Sequence, residues 1–273
     1  MASPASPPVA MEVLHALGRV PFDACGALVR KHADGTVAGA MLVERGRVCW
    51  AMSQHYPLRL TDILVSEQDT LTHAQLNELF AMCRRDHMPL GETLVARGLV
   101  SLPVLHRALL RHTCEALDYL VRAEASPWAW VAHSGYGYNP MLTFSPVEVL
   151  TGVRAIANPA LAARSLARLR EVVRGDQRGF AIERLRGAKV PLAQIGCEAV
   201  DLVALGDLAV QADEVMAVAQ TLDVEVALAQ LGELACASWV EHGVLFVVLC
   251  DGELAFNRLL AQMAAMTINT QEI

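Results

Sequence analysis

His106, His112 and Cys114 fall within one short stretch of a chain that has nine histidines and seven cysteines. Imidazole and thiolate are the usual zinc ligands, so this cluster is the first place to look for chemistry. Histidines that share an ion on a helix stand four apart, on one face. His106 and His112 are six apart and fall on different faces, so histidines at a surface or interface are the simpler reading. The other signatures of chemistry are missing. There is no GxxxxGK[ST] phosphate cradle, no GxSxG nucleophile elbow and no HExxH helix. A Ser/His/Asp set could be assembled from distant residues, but among nine histidines such sets arise by chance. The chain is therefore not expected to be an enzyme, and no catalytic residue, metal ligand or cofactor is assigned. No CxxC pair occurs, and Cys49, Cys197, Cys236 and Cys250 sit among apolar neighbours, as small core residues do. A reducing compartment fits this usage better than a disulfide framework.

The elements around the cluster are legible from periodicity. Leu76, Leu79, Phe80 and Cys83 follow helical spacing, as do Leu105, Leu109, His112 and Leu117. Thr72 and Ser101 stand where helix N-caps belong. The block from Arg59 to Val121 is therefore read as helical. Before it, Ala27–Lys31, Val37–Val43 and Arg47–Met52 read as strands, turned by Asp34-Gly35 and Glu44-Arg45-Gly46. After it, Trp128–His133 returns to strand, Gly135–Pro140 is a glycine and tyrosine loop, and Ser145-Pro146 opens a helix. Asn158-Pro159 breaks that helix and is expected to be the domain boundary. From there the pattern is α-β-β-α-β-β-β-α, with a long helix over Leu202–Leu222 and strands at Glu225–Leu231, Ala235–Glu241 and Val244–Cys250. The expected fold class is α+β, with two α+β domains. The C-terminal one is a five-stranded antiparallel sheet with helices on one face. The N-terminal one is rich in β-hairpins and carries a helical insertion. The expected domains are a tail and short helix over 1–20, a domain over 21–157 with the insertion at 58–113, and a domain over 158–273.

Composition limits the setting. Hydrophobic residues make up 54%, charged residues 19%, and the mean hydropathy is +0.35. The strongest apolar run, Val244–Cys250, is too short to cross a bilayer and is stopped by Asp251-Gly252. No signal peptide is read in the Ala/Ser/Pro-rich start. A cytoplasmic chain that buries apolar surface between subunits is the expectation. A net charge of −7 argues against a nucleic-acid partner.

Two resemblances follow from these patterns. The helix over 202–222, the three-strand meander and the closing DGELAFNRLLAQM resemble the Roadblock/dynein-light-chain family, a longin-related fold. That resemblance implies a homodimer that binds small Ras-like GTPases or motility, secretion and polarity components, without chemistry of its own. GTVAGAMLVERGRVCWA, EALDYLVRAEASPWAWVAH and FSPVEVLTGV are similar to the bacterial PATAN-like regulatory domain. Within it, PLGETLVARGLVSLPVLHRALLRH resembles the N-terminal repeat of type II secretion and pilus ATPases, which in some members binds cyclic di-GMP. Leu90, Gly91, Leu94, Gly98, Leu99, Leu105 and Leu109 match that repeat, and Arg59 and Leu60 match a degenerate preceding copy. Pro89 stands where the repeat has arginine, and His112 where it has glutamine. Proline offers no donor to a phosphate, and Glu67 and Asp69 would repel a doubly charged ligand. A hairpin kept for its shape is therefore preferred, with a cyclic di-GMP site as the alternative.

The expected function is that of a non-enzymatic bacterial regulatory or scaffold protein that dimerises and binds a protein partner. Leu202, Leu205, Ala209, Ala212 and Met216 on the long helix, with Tyr136 and Tyr138 in the loop, are the candidate interface residues. A stripe such as Leu202, Leu205, Ala209 and Met216 would equally pack on the helix's own sheet, and both readings stay open here.

Overall fold

Two-residue turns set the register of both sheets. Arg45 and Gly46 take φ values of 49° and 75°, and His242 and Gly243 take 51° and 77°. These are the paired left-handed conformations of a type I′ hairpin. The computed structural model describes residues 8–68, 71–123, 126–185, 187–197, 202–221, 226–231, 234–252 and 255–270. Of residues 202, 203, 218–221, 231 and 264–270 it describes the backbone alone. The fold is mixed α and β with two antiparallel sheets. The chain divides into two units, one of residues 19–144, the other of residues 145–273 together with the first 18.

Helix α1 (Val9–Leu17) belongs to the second of these units. The first unit begins with β1 (Cys25–Lys31), β2 (Val37–Glu44) and β3 (Arg47–Ser53). Four helices follow, α2 (Leu60–Glu67), α3 (His73–Arg85), α4 (Leu90–Ala96) and α5 (Leu102–Ala123), and then β4 (Ala129–Ala132). The sheet order is β3-β2-β1-β4, so the fourth strand returns to pair with the first. Helix α5 packs on β3 and β2. A Cβ at Gly39 would collide with the Met52 carbonyl and come within 2.7 Å of Leu120, so glycine lets α5 close onto the sheet. Helices α2 to α4 and the start of α5 enclose a small core, in which Leu64, Leu76, Leu94 and Leu105 are fully buried. Thr72 caps α3 in a capping box, its hydroxyl accepting from the Gln75 N–H while Gln75 Oε1 accepts from the Thr72 N–H at 2.9 Å.

The second unit continues with α6 (Pro146–Ala157), α7 (Pro159–Val172), β5 (Arg178–Leu185), β6 (Ala188–Ile195) and α8 (Leu202–Thr221). It closes with β7 (Val226–Leu231), β8 (Leu234–Glu241), β9 (Val244–Asp251) and α9 (Ala255–Thr270). Its sheet runs β6-β5-β9-β8-β7. Side chains alternate along β9. Val244, Phe246, Val248 and Cys250 join a core with Leu169 of α7 and Leu259 of α9. Leu245, Val247 and Leu249 join another with Leu205, Ala209 and Met216 of α8. Alternate strand residues point to opposite faces, so α8 covers one face while α7 and α9 cover the other. This corrects the expectation of helices on one face only. Both faces are buried because both side-chain sets of β9 are apolar, which a half-solvated antiparallel strand would not be.

The unit boundary also differs from the one expected. Asn158 ends α6 and Pro159 opens α7, with Asn158 Oδ1 accepting from the Leu161 N–H. That helix break is local. Helix α6 packs on β6 and on α1, and Arg154 holds Glu183 of β5 through two hydrogen bonds of 2.6 and 2.9 Å. The division therefore falls between Phe144 and Ser145 rather than at Asn158-Pro159.

Candidate functional site

Each candidate residue is placed by an element whose packing decides what it can do. In the helical insertion, Leu94 and Leu105 are fully buried, and Leu60, Leu90 and Leu109 pack against the same core. A Cβ at Gly91 would lie 3.3 Å from Leu105 and 3.4 Å from Leu142, so that glycine admits close packing. Gly98 takes φ +66° just past the end of α4, where a left-handed residue stops a helix. Arg59 is exposed, and its backbone N–H donates to Asp62 at 2.7 Å. Pro89 is the N-cap of α4. The leucines of the match thus belong to the hairpin core, while Arg59 is exposed.

His112 is buried rather than displayed. Its ring stacks on Trp50 at 4.3 Å with an interplanar angle of 15°, and Tyr56 meets it edge-on at 5.1 Å. Burial lowers its pKa, opposed by the Glu115 carboxylate and by the Leu58 carbonyl. Tyr56 donates in turn to Glu115, which also accepts from Arg111 at 2.9 Å. His106 lies against Phe144 instead, 4.9 Å away, and Cys114 is buried. The three residues that opened the search therefore have separate environments. Among the described residues no three His, Cys, Asp or Glu side chains converge as a metal set.

On α8 the structure separates the two readings of the apolar stripe. Leu205, Ala209, Ala212 and Met216 are all buried against the unit's own sheet. The stripe at helical spacing is the face that covers the strands. Leu202 opens α8, and its side chain lies outside the described residues. The outward face carries Gly206, Asp207, Val210, Gln211, Glu214 and Ala217, with Val210 48% exposed. A groove of about 480 Å³ runs beside α8, lined by Leu14, Leu150, Ile182, Pro191, Leu205 and Val210 among others. Lys189 also lines it, but its ammonium is held by the Ala209 carbonyl at 2.8 Å and by Asp213 at 2.7 Å. Although burial opposes it, hydrogen bonds from Lys189 and Arg184 keep the Asp213 carboxyl below its ordinary pKa.

Strand β7 stands at the end of the second sheet, and among the described residues β8 is its paired strand. Its six residues, VALAQL, include no charge and no proline, and its pairing with β8 shows no bulge. Sequence reasoning named the strand but missed the edge, because strand order is set by non-local pairing. The signal was present in the uncharged alternation of the strand.

The tyrosine loop is where the sequence-level candidates are exposed. Tyr136 is 70% and Tyr138 38% exposed, and their rings meet at 5.9 Å, tilted by 70°. Gly135 and Gly137 take positive φ values of 83° and 67°, which lets the chain bend twice around the tyrosines. The Tyr136 N–H donates to Glu44 at the end of β2, and His133 Nδ1 accepts from the Gly135 N–H at 2.9 Å. Burial first, then Cys49, Glu44 and Tyr136, raise the Tyr138 pKa, so its hydroxyl remains a neutral donor. Phe22, 73% exposed, lies in the turn before β1, its ring over Gly46. No helix among the described residues is long and apolar enough to cross a membrane. Compared with protein-family models, curated proteins and solved structures, the chain gives no match.

Proposed function

We propose that this chain is a non-enzymatic regulatory or scaffold protein whose second unit forms a two-fold homodimer and whose exposed surfaces hold a protein partner. The observation that carries the reading is the place of β7 at the end of its sheet. An uncharged edge strand without proline is a template for a further strand. An antiparallel pairing of β7 with β7 of a second copy extends the sheet and closes under two-fold symmetry. The outward face of α8, which covers the same sheet, exposes Val210 beside Gly206, with Asp207, Gln211 and Glu214 around them. The order β6-β5-β9-β8-β7, with α8 over one face and α7 and α9 over the other, suits a Roadblock-like, longin-related domain. The first unit, with its four-stranded sheet and helical insertion, is read as the PATAN-like regulatory part. The partner class follows from that likeness: a small Ras-like GTPase, or a motility, secretion or polarity component. The cyclic di-GMP alternative is not taken up, since Leu94 and Leu105 are buried in the hairpin core and proline holds the arginine position.

Light scattering at micromolar concentration tests the dimer. The expected mass is twice the 29.5 kDa of the chain. Gln230→Lys, which places a charge on the exposed part of the edge, is expected to shift the protein toward monomer while leaving its circular dichroism unchanged. A wild-type mass of one chain would end the dimer reading.

A further inference from the structure

The tyrosine loop, the β2–β3 turn and the turn before β1 bring a carboxylate and three exposed aromatic residues to one end of the first sheet. Glu44 pairs with Cys25 across β1 and β2, and its Oε1 accepts from the Tyr136 N–H. A Cβ at Gly135 would sit only 3.7 Å from that oxygen, so the loop lies directly on the carboxylate. Among the described residues Glu44 has no ion pair. Arg47, the residue opposite it in the β2–β3 pairing, donates instead to Thr143, to the hydroxyl and the carbonyl at 2.6 Å each. His133, whose ring is 4.6 Å from Tyr136, accepts the Gly135 N–H at Nδ1. Tyr136, Tyr138 and Phe22 are all exposed around this negative group.

We propose that this aromatic-rimmed carboxylate is a docking point for an arginine side chain of a protein partner. A carboxylate that makes no ion pair among the described residues, set among exposed π-faces, favours a cationic ligand on two grounds. The carboxylate attracts the charge, and the ring quadrupoles attract a cation over their faces. Arginine fits better than lysine, because its planar guanidinium can stack on a tyrosine while its N–H groups reach the carboxylate. Aromatic residues on a loop are also the residue types that interfaces favour. The positive-φ glycines matter here because they hold Tyr136 and Tyr138 outward with the backbone fixed on Glu44. The proposal rests on the scaffold reading and names the kind of side chain that the first unit would hold, but it does not depend on the dimer.

The chain has four tyrosines, which makes the test direct. Protein labelled with 3-fluorotyrosine should give four ¹⁹F resonances, assignable by single Tyr→Phe changes. On titration with a tetra-arginine peptide, Tyr136 and Tyr138 are expected to shift saturably while Tyr56 and Tyr119 stay still. Tetra-lysine should bind more weakly, and tetraglutamate should leave all four unchanged. Glu44→Gln and Phe22→Ala are each expected to weaken the peptide by about three- to fivefold. Asp34→Asn, at the opposite end of the sheet, should change nothing. Because the chain carries a net charge of −7, diffuse attraction must be told apart from docking. Equal shifts at all four tyrosines, or Glu44→Gln binding as wild type does, would overturn the proposal. A monomeric protein that still shows the Tyr136 and Tyr138 shifts would remove the dimer and keep the arginine site.

Discussion

His112 shows how far a single side chain can be read from its neighbours in sequence. Its place at the end of a leucine-rich repeat points to a lost ligand contact, whereas its surroundings are an aromatic stack with Trp50 and Tyr56. Nothing local in the sequence places Trp50 against it, since that pairing spans the whole insertion. The stack gives a pH prediction. Burial lowers the folded-state pKa below the ordinary value of 6.5, against the opposing pull of Glu115 and the Leu58 carbonyl. The unfolded chain then takes up its proton first as the pH falls. The stability that neutral His112 contributes is therefore complete above about pH 6.5 and is lost as the pH drops toward the folded value. Below that value the loss levels off. Urea unfolding followed by tryptophan fluorescence at pH 7.5 and 5.5 is expected to give a larger fall in midpoint for the wild type than for His112→Phe. An equal fall in both proteins would show that His112 does not titrate in this window.

At the scale of elements, α8 separates packing from association. Leu205→Ala removes a buried side chain from the face that covers the strands and is expected to cost about 3 kcal/mol of stability. Val210→Arg, on the outward face, should change unfolding by less than about 0.5 kcal/mol yet weaken the dimer. Denaturant midpoints measured beside concentration-dependent light scattering check both. If Val210→Arg unfolds the domain, the assignment of faces is wrong. The hydrophobic period of α8 was legible, but it could not say what the stripe touches, because an inward face and an interface share the same spacing. Turns were read more securely. Glu44-Arg45-Gly46 turns where the sequence places it, since few residue pairs accept two left-handed conformations. Helix starts at Thr72 and Ser145 were legible for the same kind of reason, a side-chain oxygen offered to a free N–H. The return of β4 to β1 and the edge position of β7 were not, as both depend on partners far along the chain.

At the scale of the whole molecule, the sequence misplaced the division because it is not contiguous. The second unit draws in α1, which lies more than a hundred residues before α6 in sequence and packs against it and β6. An Asn-Pro step marks a bend in the backbone, whereas a unit boundary depends on which faces are buried together. On α1, Val13 is fully buried and Ala10, Ala16 and Leu17 nearly so. The helix has nine residues, short enough to be marginal by itself in water, so its stability comes from this packing. A charge at Val13 would have to be desolvated or force the helix off its site. Val13→Asp is therefore expected to loosen the second unit, although the substitution lies on the N-terminal side of the first. Hydrogen exchange resolved by peptide gives the test. Faster exchange is expected in α1, α6 and β6, with protection in β1, β2 and β3 left at the wild-type level. Loss of protection in the first sheet, with α6 and β6 unchanged, would instead assign α1 to the first unit.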